Sequence, residues 1–200
     1  MNRDDVYPCM TECAAEAARI ARGVAPRQLD APTSCGEWDV RALANHWILY
    51  TSHGLEHRAR RIPLPEELTR QDFTADPAWA DAYAGQLDRA VAAWADPQVW
   101  EGDIDLGFMT MPAVEIASLI VKELAVHGWD MATATGQELR VSDATARLVL
   151  DVVEAHAEVY RQYDGFVAPV TLPDDAPAFE RALALSGRDP RRAEASAAGH

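Results

Sequence analysis

The chain is predicted to be all-α, a four-helix bundle with an additional C-terminal helical segment. Three observations predict it. Apolar residues recur at helical spacing over long stretches. Proline and glycine mark the ends of those stretches, at Pro26, Pro63, Pro65, Pro97 and Gly136. The one segment that alternates, QVWEGDIDLGFMTM, does so weakly and holds two glycines, which fits an extended loop or short hairpin between helices.

The elements follow in order. A first helix is expected over residues 4–24, its stripe being Met10, Ala14, Ala17, Ala18 and Ala21. After the loop PRQLDAPTSCGEW, a second helix covers residues 39–61, with Val40, Leu43, Trp47 and Tyr50 on its buried side. Pro63 and Pro65 stop it, since neither can donate a helical hydrogen bond. A third starts near Asp76 with Pro77 in its first turn, buries Trp79, Tyr83, Leu87, Ala90, Val91 and Trp94, and closes at Asp96 and Pro97. The fourth runs over residues 112–135 and ends at Gly136, a residue suited to a left-handed cap. The fifth begins after Ser142 as N-cap and continues to about Tyr163, with Leu148, Val149, Val152, His156, Val159 and Tyr163 as its stripe. A proline-rich turn precedes a short helix near residues 178–185. Residues 1–190 are expected to form one domain and 191–200 a flexible tail.

Composition narrows the function classes. With 48% hydrophobic and 25% charged residues among 200, the chain reads as a globular protein able to bury a core. Its net charge is −14, and Lys122 is its only lysine. No basic run is present to neutralise phosphates, so neither nucleic acid nor an anionic membrane is an expected partner. No apolar run reaches the length of a membrane span, and the first twenty residues lack the pattern of a signal peptide. A cytoplasmic location is expected. The three cysteines, Cys9, Cys13 and Cys35, are odd in number and lack framework spacing, which argues against a disulfide scaffold.

The chemistry concentrates in KELAVHGWDMATATG, residues 122–136. Glu123 and His127 stand four apart and share a face with Ile120, Leu124 and Met131. A carboxylate on a buried face must pair, take up a proton or bind a cation. Three readings follow: a satisfied hydrogen-bonded pair without function, an acid and base acting without metal, or two ligands of one ion. In WDVRALANHW, His46 lies beside Leu43 and Trp47 on an apolar flank and is the candidate third ligand. Facing helices of a bundle are where such sites are assembled.

Together PTSCGEWDVRALANH, KELAVHGWDMATATGQ and a late SGRDP make the chain resemble the actinobacterial DinB/YfiT-like metal-binding proteins. These are related to the N-terminal domain of mycothiol-dependent maleylpyruvate isomerase. The resemblance implies a four-helix bundle with His46, Glu123 and His127 as metal ligands. It also implies a divalent ion, zinc first for a mixed nitrogen and oxygen set, with nickel and iron compatible. It further implies a low-molecular-weight thiol, mycothiol or similar, as cosubstrate of an S-transferase or isomerase acting on a small electrophile. Recruitment to a biosynthetic pathway for isomerisation, elimination or cyclisation is the alternative, and a non-catalytic metal- or ligand-binding module is a third reading. A homodimer is expected.

Among the remaining residues, His53 is the candidate proton-transfer group, seven positions after His46 and so on nearly the same helical face. His57 follows one turn later. His156 is read as a hydrogen-bonded core histidine. Asp130 is read either as orienting a ligand histidine or as capping a neighbouring loop. Trp38, Trp47 and Trp129 are read as packing residues, and Cys35 as a thiol without an evident base.

Overall fold

The computed structural model describes all residues except Glu37, Phe108, Asp164 and residues 192–200. The expected tail therefore lies outside the described residues apart from Arg191. Two compact units result, Met1–Arg140 and Val141–His200.

Helix α1 (Arg3–Arg22) opens on Asn2, whose side chain accepts from the Asp4 and Asp5 amides while Asp5 bonds back to the Asn2 N–H. It buries Val6, Met10, Cys13, Ala17 and Ile20. Helix α2 (Val40–Ile48) is capped by Asp39, which accepts from the Ala42 amide at 2.8 Å. It passes without a break through one π-helical turn, Leu49–His53, into α3 (Gly54–Ala59). At the turn Thr51 Oγ1 donates to the Trp47 carbonyl and Ser52 Oγ to the Ile48 carbonyl, both at 2.6 Å. Such back-bonding competes with the regular ladder and helps a helix take up an extra residue.

A short helix α4 (Glu66–Thr69) lies in the crossover to α5 (Trp79–Ala93). The α5 helix starts later than Asp76 because the Asp76 side chain is engaged with the Ala78 amide outside it. Strands β1 (Asp103–Asp105) and β2 (Thr110–Pro112) form the antiparallel hairpin, with Ile104 opposite Met111. Helix α6 (Ala113–Thr135) ends at Gly136, whose φ of 71° supplies the left-handed cap. In the first unit α1 packs on α5 and α6, α2 on α6 and α3 on α5, so four long helical runs enclose one core.

The second unit pairs α7 (Asp143–Gln162) with α8 (Ala178–Leu185). Ser142 caps α7 as expected. Three residues expected on buried faces are exposed: Tyr50, Val159 and Tyr163, the last 81% exposed. For α7 the stripe loses its cover toward the C-terminal end. Cys9 and Cys13 are buried free thiols.

Candidate metal centre

The first unit brings α2 and α6 together through two apolar neighbours of the candidate ligands. Trp47 of α2 lies against Gly128 of α6, where a Cβ would stand 3.4 Å from the indole and 3.1 Å from Leu139 Cδ1. Only a residue without a side chain admits so close an approach without a shift. His46 and His127, each one residue away, are thereby drawn together, their ring centroids 5.1 Å apart and their planes at 79°. Glu123, one turn before His127, places Oε2 at 3.0 Å from His127 Nε2 and 3.9 Å from His46 Nε2. One donor atom from each of the three lies within 4.8 Å of the others. Donors about 2.1 Å from a shared tetrahedral centre stand roughly 3.4 Å apart, so this set fits a single divalent ion.

His127 is fixed from behind. Its Nδ1 faces Asp130 Oδ2 at 3.0 Å, and the buried Asp130 accepts from Ser34 Oγ through its other oxygen at 2.7 Å. Binding the Nδ1 proton to a carboxylate turns Nε2 toward Glu123 and raises its basicity as a ligand. Cys35 Sγ lies 4.0 Å from the same Nδ1, and Cys35, His127 and Asp130 form a second group of convergent donor atoms. The loop before α2 thus supplies a hydrogen bond to Asp130 and a thiol beside the histidine of α6.

The charges are strongly coupled. Burial pushes the Glu123 carboxyl upward, but Lys122 and the hydrogen bonds of His127 and His46 outweigh it and hold the group well below the usual carboxylate range. Lys122 is only 2% exposed and pairs with Glu123 Oε1. For His127, burial acts downward, yet Asp130, Cys35 and Glu123 together raise its pKa well above that of a free histidine. The imidazole rests between two carboxylates, each able to accept a proton-bearing nitrogen.

Above the donors, Trp38 and Tyr50 flank the His46 ring at 4.8 and 4.7 Å, each more than one-third exposed. They form an aromatic mouth. Trp47 and Trp129 belong to the packing around it, Trp47 fully buried and Trp129 half-buried.

His53 is placed elsewhere. Its ring stacks on Phe73 at 5.3 Å and lines a cavity of about 200 Å³ with Trp79, Tyr83, Gln86 and Arg89. The π turn is the cause. It advances each residue by about 80° rather than 100°, so His53 falls roughly 90° from the direction of His46. His57 Nδ1 bonds to the His53 carbonyl at 2.7 Å, and His156 is half-buried in the second unit. Sequence reasoning did not single out Lys122, Ser34 or Arg58. Lys122 carried one signal, being the sole lysine and next to Glu123 in a stretch of α6 otherwise apolar, while Ser34 carried none.

Comparison with known proteins bears on the fold and the family. Two uncharacterized proteins from Mycobacterium tuberculosis strains, Rv0738 and MT0763, are each 26% identical over 183 residues, covering 87% of this chain and 92% of the relative. Among solved structures, the mycothiol-dependent maleylpyruvate isomerase superposes with a TM-score of 0.62 at 12% identity, covering 88% of this chain and 78% of that one. A variant of that isomerase with a histidine replaced by alanine gives 0.63 at 12% identity, with coverages of 88% and 77%. These likenesses establish a shared helical fold. The profile of the mycothiol maleylpyruvate isomerase N-terminal domain matches residues 10–132, which is more than half of the chain and contains His46, Glu123 and His127. The chain belongs to that domain family.

Proposed function

We propose that the protein is a metal-dependent enzyme that uses a low-molecular-weight thiol, mycothiol or a close analogue, to transfer to or isomerise a small electrophile. The observation that carries this reading is the convergence of His46, Glu123 and His127, with His127 oriented from behind by Asp130. A divalent ion held there, zinc first, would supply Lewis acidity and bring the pKa of a coordinated thiol or water toward neutrality. The protein's own share is clear from its residues. Two imidazoles and one carboxylate leave coordination positions open toward the aromatic mouth. Asp130 keeps the His127 Nε2 lone pair facing that opening. Lys122 offsets the charge of Glu123 and keeps it ionised in a buried site. Trp38 and Tyr50 give an apolar rim against which a substrate can exclude water. The substrate is a small molecule, the compartment the cytoplasm, and the assembly a homodimer, which light scattering checks.

Elemental analysis of protein purified without added metal tests the reading. Stoichiometric transition metal in wild type, lost on His127→Ala, is the expected result. Metal-free wild type that also fails to take up zinc would sink it.

A second reading has its own support in the cavity around His53. Burial first, then His57 and Arg89, lower the pKa of His53 against the opposing effect of Glu56, so the neutral imidazole prevails at neutral pH. An unprotonated histidine stacked on an aromatic ring is equipped to accept a proton from a bound intermediate without a metal. Turnover that survives exhaustive chelation but disappears in His53→Asn would select this reading over the first.

A further inference from the structure

Among the described residues of the first unit, one half-buried arginine has no counterpart. Arg58 lies on α3, half-buried, and among the described residues its guanidinium makes no hydrogen bond and no ion pair. This is unusual for a guanidinium, which carries five donors in a rigid fork. Its neighbours Arg60 and Arg61 are satisfied, Arg60 by Glu56 at 2.6 Å and Arg61 by the carbonyls of Val99, Glu101 and Asp103.

The guanidinium has a made seat. Gly54 stands one turn before Arg58, and a Cβ on that glycine would collide with Arg58 Nη1. The missing side chain lets the arginine fold back along the helix toward Tyr50. The helical run is phased for this. His46, Tyr50, Gly54 and Arg58 are spaced by four, which in a regular α-helix drifts by about 40° each time. The π turn between Tyr50 and Gly54 reverses one of those steps, so all four fall on one side. Tyr50 stacks against His46, and the two groups that act on Arg58 to favour its charge are Tyr50 and Glu123. Burial acts the other way, as it does for any ion without a partner.

We propose that Arg58 is the docking group for a carboxylate of the substrate, holding an anionic small molecule with its reacting end at the His46, Glu123 and His127 centre. This rests on the metal-dependent reading for the reacting end alone, because the arginine seat exists without an ion. Among the described residues, Arg58 is also the half-buried arginine free to be neutralised by a ligand, while Lys122 is committed to Glu123. Arginine suits the task, because its fork donates to both oxygens of a carboxylate at once.

Calorimetric titration with succinate, and with succinamide as its uncharged counterpart, tests the proposal on both metal-free and zinc-loaded protein. Wild type is expected to bind succinate in both forms. Arg58→Gln is expected to weaken succinate binding at least tenfold, as the loss of one charge-assisted pair does. Arg58→Lys, which keeps the charge but not the fork, should fall between. Gly54→Ala, which leaves Arg58 in place but fills its seat, should weaken succinate while circular dichroism shows an intact helical fold. Succinamide should not respond to any of the three. Undiminished succinate binding in Arg58→Gln, an equal loss for succinamide, or no succinate binding by wild type would overturn the proposal. A failed metal test with a succinate response intact would remove the metal-dependent reading and leave the carboxylate seat standing.

Discussion

His46 and His53 stand seven residues apart on one unbroken helical run, yet they enter different environments. His46 meets a carboxylate and a second imidazole at 3.9 and 5.1 Å, under an aromatic rim. His53 lies against the Phe73 ring in a cavity walled by Trp79 and Tyr83. The ordinary helical repeat would aim both the same way. One π turn separates them, and it does so while bringing Arg58 back into line with His46. A single additional residue per turn therefore sorts the polar groups of one helix into two sites with different chemistry.

Four perturbations bear on that contrast, the strongest first. Removing a ligand by Glu123→Ala or His127→Ala should lower metal affinity by more than the ~10–100-fold typical of an outer hydrogen-bond partner, read by competition with a chromogenic chelator. The same assay on His53→Ala should show wild-type affinity, and a loss equal to that of His127→Ala would merge the two sites. Asp130→Ala should come next, at about 10–100-fold, because His127 loses the group that orients it. Ser34→Ala, one bond further out, should cost less.

The third perturbation acts on the π turn itself. Thr51 Oγ1 lies 2.8 Å from the buried Tyr83 hydroxyl, so Thr51→Val leaves that hydroxyl alone and should destabilise by about 1–3 kcal/mol in denaturant titration. Adding Tyr83→Phe removes both partners and should recover part of the loss. A double variant as unstable as the sum of the singles would deny the coupling.

The smallest effect concerns pH. The folded-state pKa of His53 lies below its unfolded value, so the unfolded chain binds more protons as pH falls below the ordinary histidine range. The contribution of His53 to stability is whole above that value and is lost as pH falls through the folded pKa. His53→Phe keeps a ring against Phe73 but cannot titrate. Its melting temperature should fall less steeply than that of wild type on acidification from neutrality, and parallel curves would show that His53 stays solvated.

The bundle was legible because apolar periodicity and its punctuation are local properties. The convergence of three donor side chains was legible too, since Glu123 and His127 share a face by spacing alone and His46 sits on an apolar flank. The three-residue interval from His127 left Asp130 open between orienting that histidine and capping a loop, and the structure places its carboxylate 3.0 Å from His127 Nδ1. What escaped needed the third dimension. Cys35 and Ser34 reach His127 and Asp130 from a loop more than ninety residues away. Lys122 pairs with Glu123 while itself shut from water in the α6 core. His53 was misdirected by the assumption of a regular repeat, and LYTSH carries no marker of a π turn except hydroxyls at Thr51 and Ser52 that bond backward.

The burial of Lys122 has a practical corollary. It is the sole lysine of the chain, shut beneath the candidate centre and bound to one of its ligands. An amine-directed reagent therefore has one side chain to find, and it can reach that chain only when the α6 face opens. The rate at which Lys122 acquires a label, followed by mass spectrometry of its peptide, is a built-in clock for the breathing of the site.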